Sequence, residues 1–63
     1  MIRTTYDPEA DAMFIRFAAD GVPSVRTEEI APGVMVDFDQ SGVLIGIEVL
    51  DVRERAIARP AAA

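Results

Sequence analysis

Carboxylates are the groups in this 63-residue chain whose types and spacing best suit chemistry. The string Asp37-Phe38-Asp39-Gln40-Ser41-Gly42, with Glu48 after five intervening residues, fits the calcium-loop pattern D-x-[DN]-x-[DN]-G-x5-E apart from Ser at its fifth position. In that reading Asp37, Asp39 and Ser41 converge on one cation, Gly42 makes the sharp turn, and Glu48 closes the site with two oxygens. The same segment permits a second chemistry. Asp37 and Glu48, facing each other across a hairpin, would shift each other's pKa as the paired acids of hydrolases do. Against both stands a structural reading, an Asp/Ser/Gly hairpin turn and carboxylates that are solvated or ion-paired on a sheet face. With no His, Cys or Lys present, nucleophilic triads, thiolate ligands and Schiff bases are excluded. Gly42 and Gly46 match neither the Walker nor the dinucleotide spacing.

The elements that must position these groups read as strands. Residues 34–38 and 43–50 alternate with period two, whereas a calcium loop of this type belongs between two helices. Ile2, Thr4 and Tyr6 alternate over residues 2–6, and Asp7-Pro8-Glu9-Ala10-Asp11 supplies hairpin-turn chemistry. Residues 12–17 form a second strand, closed by Asp20-Gly21. Residues 22–30 are weakly patterned, with Pro23 and the polar run Arg26-Thr27-Glu28-Glu29, and predict an edge strand. Ala31-Pro32-Gly33 turns the chain again, and Gly46 marks a bulge or a close backbone approach inside the last strand. Asp51 as N-cap and Glu54 three residues later open a short helix to about Arg59, with Val52, Ala56 and Ile57 as its buried stripe and Pro60 as its stop. The expected architecture is α+β, predominantly β: an antiparallel meander of four to five strands with one short C-terminal helix. It forms a single domain over 1–59, with a frayed tail at 60–63.

Such a sheet has two unlike faces. Met13, Ile15, Phe17, Val34, Val36, Phe38, Ile45, Ile47 and Val49 make one strongly apolar face. A helix of this length spans only about 13 Å and cannot roof it, so either a second copy packs there or the sheet curls strongly. The other face mixes Phe14, Met35 and Leu44 with Arg16, Asp37 and Glu48. It is the candidate binding surface, unless Arg16 simply pairs with Asp37 or Glu48 while the apolar residues fill a dimer contact.

Composition bounds the partners. A net charge of −5 with the six arginines scattered along the chain argues against nucleic acid. No secretory leader and no run long enough for a membrane span is visible, which predicts a cytoplasmic protein. Without cysteines to staple so small a domain, a homodimer is the expected source of extra stability.

Three strings, Tyr6-Asp7-Pro8-Glu9-Ala10-Asp11-Ala12, Val36-Asp37-Phe38-Asp39 with Gly42, and Gly46-Ile47-Glu48-Val49-Leu50, resemble the small bacterial and archaeal proteins grouped as domain-of-unknown-function family 2283. The resemblance runs from Tyr6 to about Asp51. Phe14 and Phe38 stand where tyrosine is common in that family, which removes two hydroxyls. The resemblance implies a compact β-rich domain and carries over no catalytic or binding residue. Family members also resemble small partner genes beside toxin-like proteins, which suggests an antitoxin-like role. The sequence therefore predicts a homo-oligomerising or protein-partner-binding module without a cofactor, rather than an enzyme. The alternatives are a calcium-binding domain using Asp37, Asp39, Ser41 and Glu48, and a small hydrolase using Asp37 and Glu48.

Overall fold

The computed structural model describes residues 2–57. Strands β1 (Arg3–Asp7), β2 (Ala12–Arg16), β3 (Arg26–Ala31), β4 (Val34–Phe38) and β5 (Leu44–Val49) are followed by helix α1 (Val52–Ile57). All five strands join one antiparallel sheet, four of them where the period-two patterns predict and β3 where the weakly patterned segment predicts an edge strand.

The connectivity departs from a simple meander. Strand order is β1-β2-β5-β4-β3, so residues 17–25 carry the chain past β5 and β4 to the far edge. Composition gives the reason. A meander would place β3, with Arg26, Thr27, Glu28 and Glu29, in the middle of the sheet, yet every residue of β3 is exposed at the edge. The apolar β5 takes the centre instead, paired on both sides.

Each turn is made by the residues that predict it. Asp7 Oδ1 accepts bonds from the Glu9 and Ala10 amides at 3.0 and 3.4 Å, and Asp39 Oδ1 accepts from the Ser41 and Val43 amides at 2.8 and 3.0 Å. Gly33, at φ 73, supplies the left-handed residue between β3 and β4.

Helix α1 begins at Val52, directly after Asp51 as expected, but its side-chain capping is different. Residues 58–59 of the expected helix, Pro60 and the tail at 60–63 lie outside the described residues. Asp51 sits at φ 54 and its carbonyl accepts the Arg55 amide at 2.9 Å. The carboxylate on the first turn is that of Asp11, which accepts the Arg53 amide at 3.1 Å, while the Asp11 carbonyl accepts the Val52 amide at 3.1 Å. At the other side Arg55 donates to the carbonyls of Leu50, at 2.7 Å, and of Pro32. The helix is thus strapped across one end of the sheet, between the β1–β2 loop and the β3–β4 turn. Val52 is half-buried as expected, but Ala56 is exposed, because α1 makes few contacts with the strands.

The register places Met13, Ile15, Ile47, Val49, Val34 and Val36 on one face, flanked by Thr4 and Tyr6 of β1 and by Arg26 and Glu28 of β3. A register shift between Asp37 and Phe38 then sets Phe38 opposite Leu44 rather than Ile45. Helix α1 makes few contacts with the strands and does not roof this face. Among the described residues only Ala12, Val36 and Ile45 are buried apolar side chains, and the rest of the stripe is half-buried. No described helix is long and apolar enough to cross a membrane.

Candidate functional site

On the opposite face the strand register lines up two rows across the sheet. Thr5, Phe14, Glu48, Met35 and Glu29 form one, and Arg3, Arg16, Gly46, Asp37 and Thr27 form the next. Gly46 leaves a gap between Arg16 and Asp37. A cleft of about 190 Å³ opens there, lined by Arg3, Thr5, Phe14, Ile15, Arg16, Asp37 and Gly46. A Cβ at Gly46 would stand 3.2 Å from the Ile15 carbonyl oxygen and 3.8 Å from Asp37 Oδ2, so only glycine keeps this floor open without displacing the neighbouring strand.

Charged groups around the cleft are held from behind by the crossover. Arg16 Nη2 donates to the carbonyls of Ala19, at 3.1 Å, and Val22, at 2.6 Å, rather than to Asp37 or Glu48 as its spacing suggested. Asp37 Oδ1 accepts from Thr27 Oγ1 at 2.6 Å and from Ser24 Oγ at 3.3 Å. Arg3 pairs with Asp20 on the same crossover. Arg16 and Asp37 each spend one lobe on the fold, and each also lines the cleft.

Of the six residues expected on this surface, Phe14, Arg16 and Asp37 come together in the cleft. Met35 and Glu48 are opposite each other in the neighbouring row, and Leu44 stands apart, beside Phe38 at the register shift. Asp37 and Glu48 share the face but are diagonal neighbours, since Asp37 is opposite Gly46. The calcium pattern is not assembled: Asp37 is bonded to β3 and the crossover, Asp39 is occupied within its own turn, and Glu48 lies up the strand between Phe14 and Met35. Among the described residues no three His, Cys, Asp or Glu side chains cluster as a metal site. Arg3 and Thr5 were not singled out in the sequence. Only the pairing of Arg3 with Arg16 and of Thr5 with Phe14 reveals them.

A second polar cluster, also missed, sits at the helix end. Tyr6 Oη donates to Asp11 Oδ1 at 2.6 Å, and Arg53 Nε donates to the same oxygen at 3.3 Å. The hydrogen bond from Tyr6, then those of the Arg53 amide and guanidinium, hold the Asp11 carboxyl below its usual range. The same bond, with the negative charge of Asp11, raises the Tyr6 phenol. Asp11 adopts φ 53, which aspartate tolerates better than most side chains. The motif beginning at Tyr6 is thereby accounted for as turn and helix-docking structure.

Fold and site together define a small single-sheet β domain with a charged cleft on one face and an apolar stripe on the other. The chain belongs to the DUF2283 family, described as a protein of unknown function, whose model matches residues 3–53. No curated protein and no solved structure matches it.

Proposed function

We propose that the protein works as a homodimeric binding module in which two copies pack apolar face to apolar face and turn their clefted faces outward. One observation carries this reading: Met13, Ile15, Ile47, Val49 and Val34 of the apolar stripe are only half-buried, and among the described residues no second layer covers them. A sheet with one apolar face must bury it against another element, and packed sheets about 10 Å apart are the common solution.

The rim has the right character for an interface between copies, since Thr4, Tyr6, Arg26 and Glu28 surround the stripe with polar groups. On that rim the Arg26 guanidinium lies 4.2 Å from the centre of the Phe38 ring and pairs with Glu28.

Sedimentation equilibrium over a concentration series tests the reading. Twice the chain mass at micromolar concentration is expected, and a monomer that keeps its sheet at every concentration overturns it.

A further inference from the structure

We propose that the cleft over Gly46 binds a small zwitterion of the α-amino-acid class, its ammonium on Asp37 Oδ2, its carboxylate on the Arg16 guanidinium and its apolar part against Phe14. Opposite charges face each other across a glycine. Arg16 and Asp37 are each one strand from Gly46, which sets their Cα atoms about 10 Å apart. They form no ion pair with each other, because each is already fixed by other partners.

That fixing leaves specific atoms for a ligand. Both hydrogens of Arg16 Nη2 go to carbonyls, so Nε and Nη1 are the donors left for the cleft side. Both hydroxyl bonds to Asp37 end on Oδ1, and Oδ2 is the oxygen nearest the Gly46 floor. Charged groups held in place by the fold need little reordering on binding.

Charge balance selects the ligand class. A simple anion would meet Asp37, and a simple cation would meet Arg16 and Arg3. A molecule with both charges satisfies both sides. The cleft of about 190 Å³ suits one amino-acid-sized molecule, and the half-exposed Phe14 ring gives its apolar part a wall. The site lies on the face opposite the apolar stripe, so face-to-face pairing of two copies leaves it open.

The test is an amide-shift titration of the 15N-labelled full chain with L-leucine, N-acetyl-L-leucine and L-leucinamide, to about 20 mM, a range suited to so few contacts. Leucine should shift the Phe14, Arg16, Asp37 and Gly46 amides saturably. N-acetyl-leucine lacks the ammonium and leucinamide lacks the carboxylate, so each should bind about tenfold or more weakly. Asp37→Asn should weaken leucine to the level of N-acetyl-leucine. Absence of saturable shifts at these four amides, or equal binding of all three compounds, overturns the proposal. The three-compound series uses the unaltered protein and decides the matter even if the variant fails to fold.

Discussion

The two ends of the sheet treat their charged groups differently. At the helix end Asp11 is surrounded: Tyr6, the Arg53 amide and the Arg53 guanidinium all converge on its carboxylate. At the crossover end Arg16 and Asp37 are each tied down by one lobe and separated by Gly46, with a cleft between them. The first arrangement is a joint, since every bond ties one part of the chain to another. The second has bonding capacity left over, held rigidly and lined with an exposed aromatic ring. Motif residues can therefore be structural while plainer ones build the site.

Between the two ends lies Ile47, opposite Ile15 on one side and Val36 on the other. Ile47→Asp is the largest expected break, because it places a charge in the middle of the apolar stripe. It should cost about 3 kcal/mol or more, abolish self-association and leave a chain that melts at or below room temperature. Circular dichroism and light scattering read both effects.

Asp11→Ala comes next. It removes the cap from α1 and the link to Tyr6, and should lower the melting temperature by several degrees and speed hydrogen exchange at the Arg53 amide. Asp37→Asn keeps an acceptor for Thr27 and should change the melting temperature much less. If the two substitutions are equally destabilising, the contrast between joint and cleft fails.

Acid and alkali sharpen the same contrast. Asp11 is held below its unfolded value, so its contribution is complete above the ordinary aspartate pKa and is lost as pH falls through the lower folded value. Tyr6 is raised, so its contribution is complete below the ordinary tyrosine pKa and is lost as pH climbs through the higher folded value. Melting curves across pH should show both losses in the unaltered protein, with the acid one reduced in Asp11→Ala. Tyr6→Phe should have a smaller effect than Asp11→Ala, removing the alkaline loss, reducing the acid one and lowering the neutral melting temperature slightly through the lost bond to Asp11.

Much of the fold is legible in the sequence because its signals are local. Alternation locates four of the strands, and the polar run from Arg26 to Glu29 identifies the weakly patterned β3 as an edge. That edge reading already contradicts a simple meander, and composition proves the better guide to strand order than chain order. Gly46 is legible as a close backbone approach, and the Ile15 carbonyl is what approaches it. Two features are not legible because they join distant residues. The helix cap comes from Asp11 rather than the adjacent Asp51, and the expected pairing of Arg16 with a carboxylate gives way to carbonyls of a crossover whose path no local pattern encodes. Such contacts depend on pairing partners, which periodicity does not specify.

Central to this account is the claim that the apolar face is covered by a second copy of itself. Isotope-filtered nuclear Overhauser measurements on a mixture of labelled and unlabelled chains test it most directly. Intermolecular contacts among the methyl groups of Ile15, Val34, Val36 and Ile47 are predicted. A dimer whose intermolecular contacts arise only at Phe14, Met35 and Leu44 on the opposite face, or no intermolecular contact at all, would contradict it.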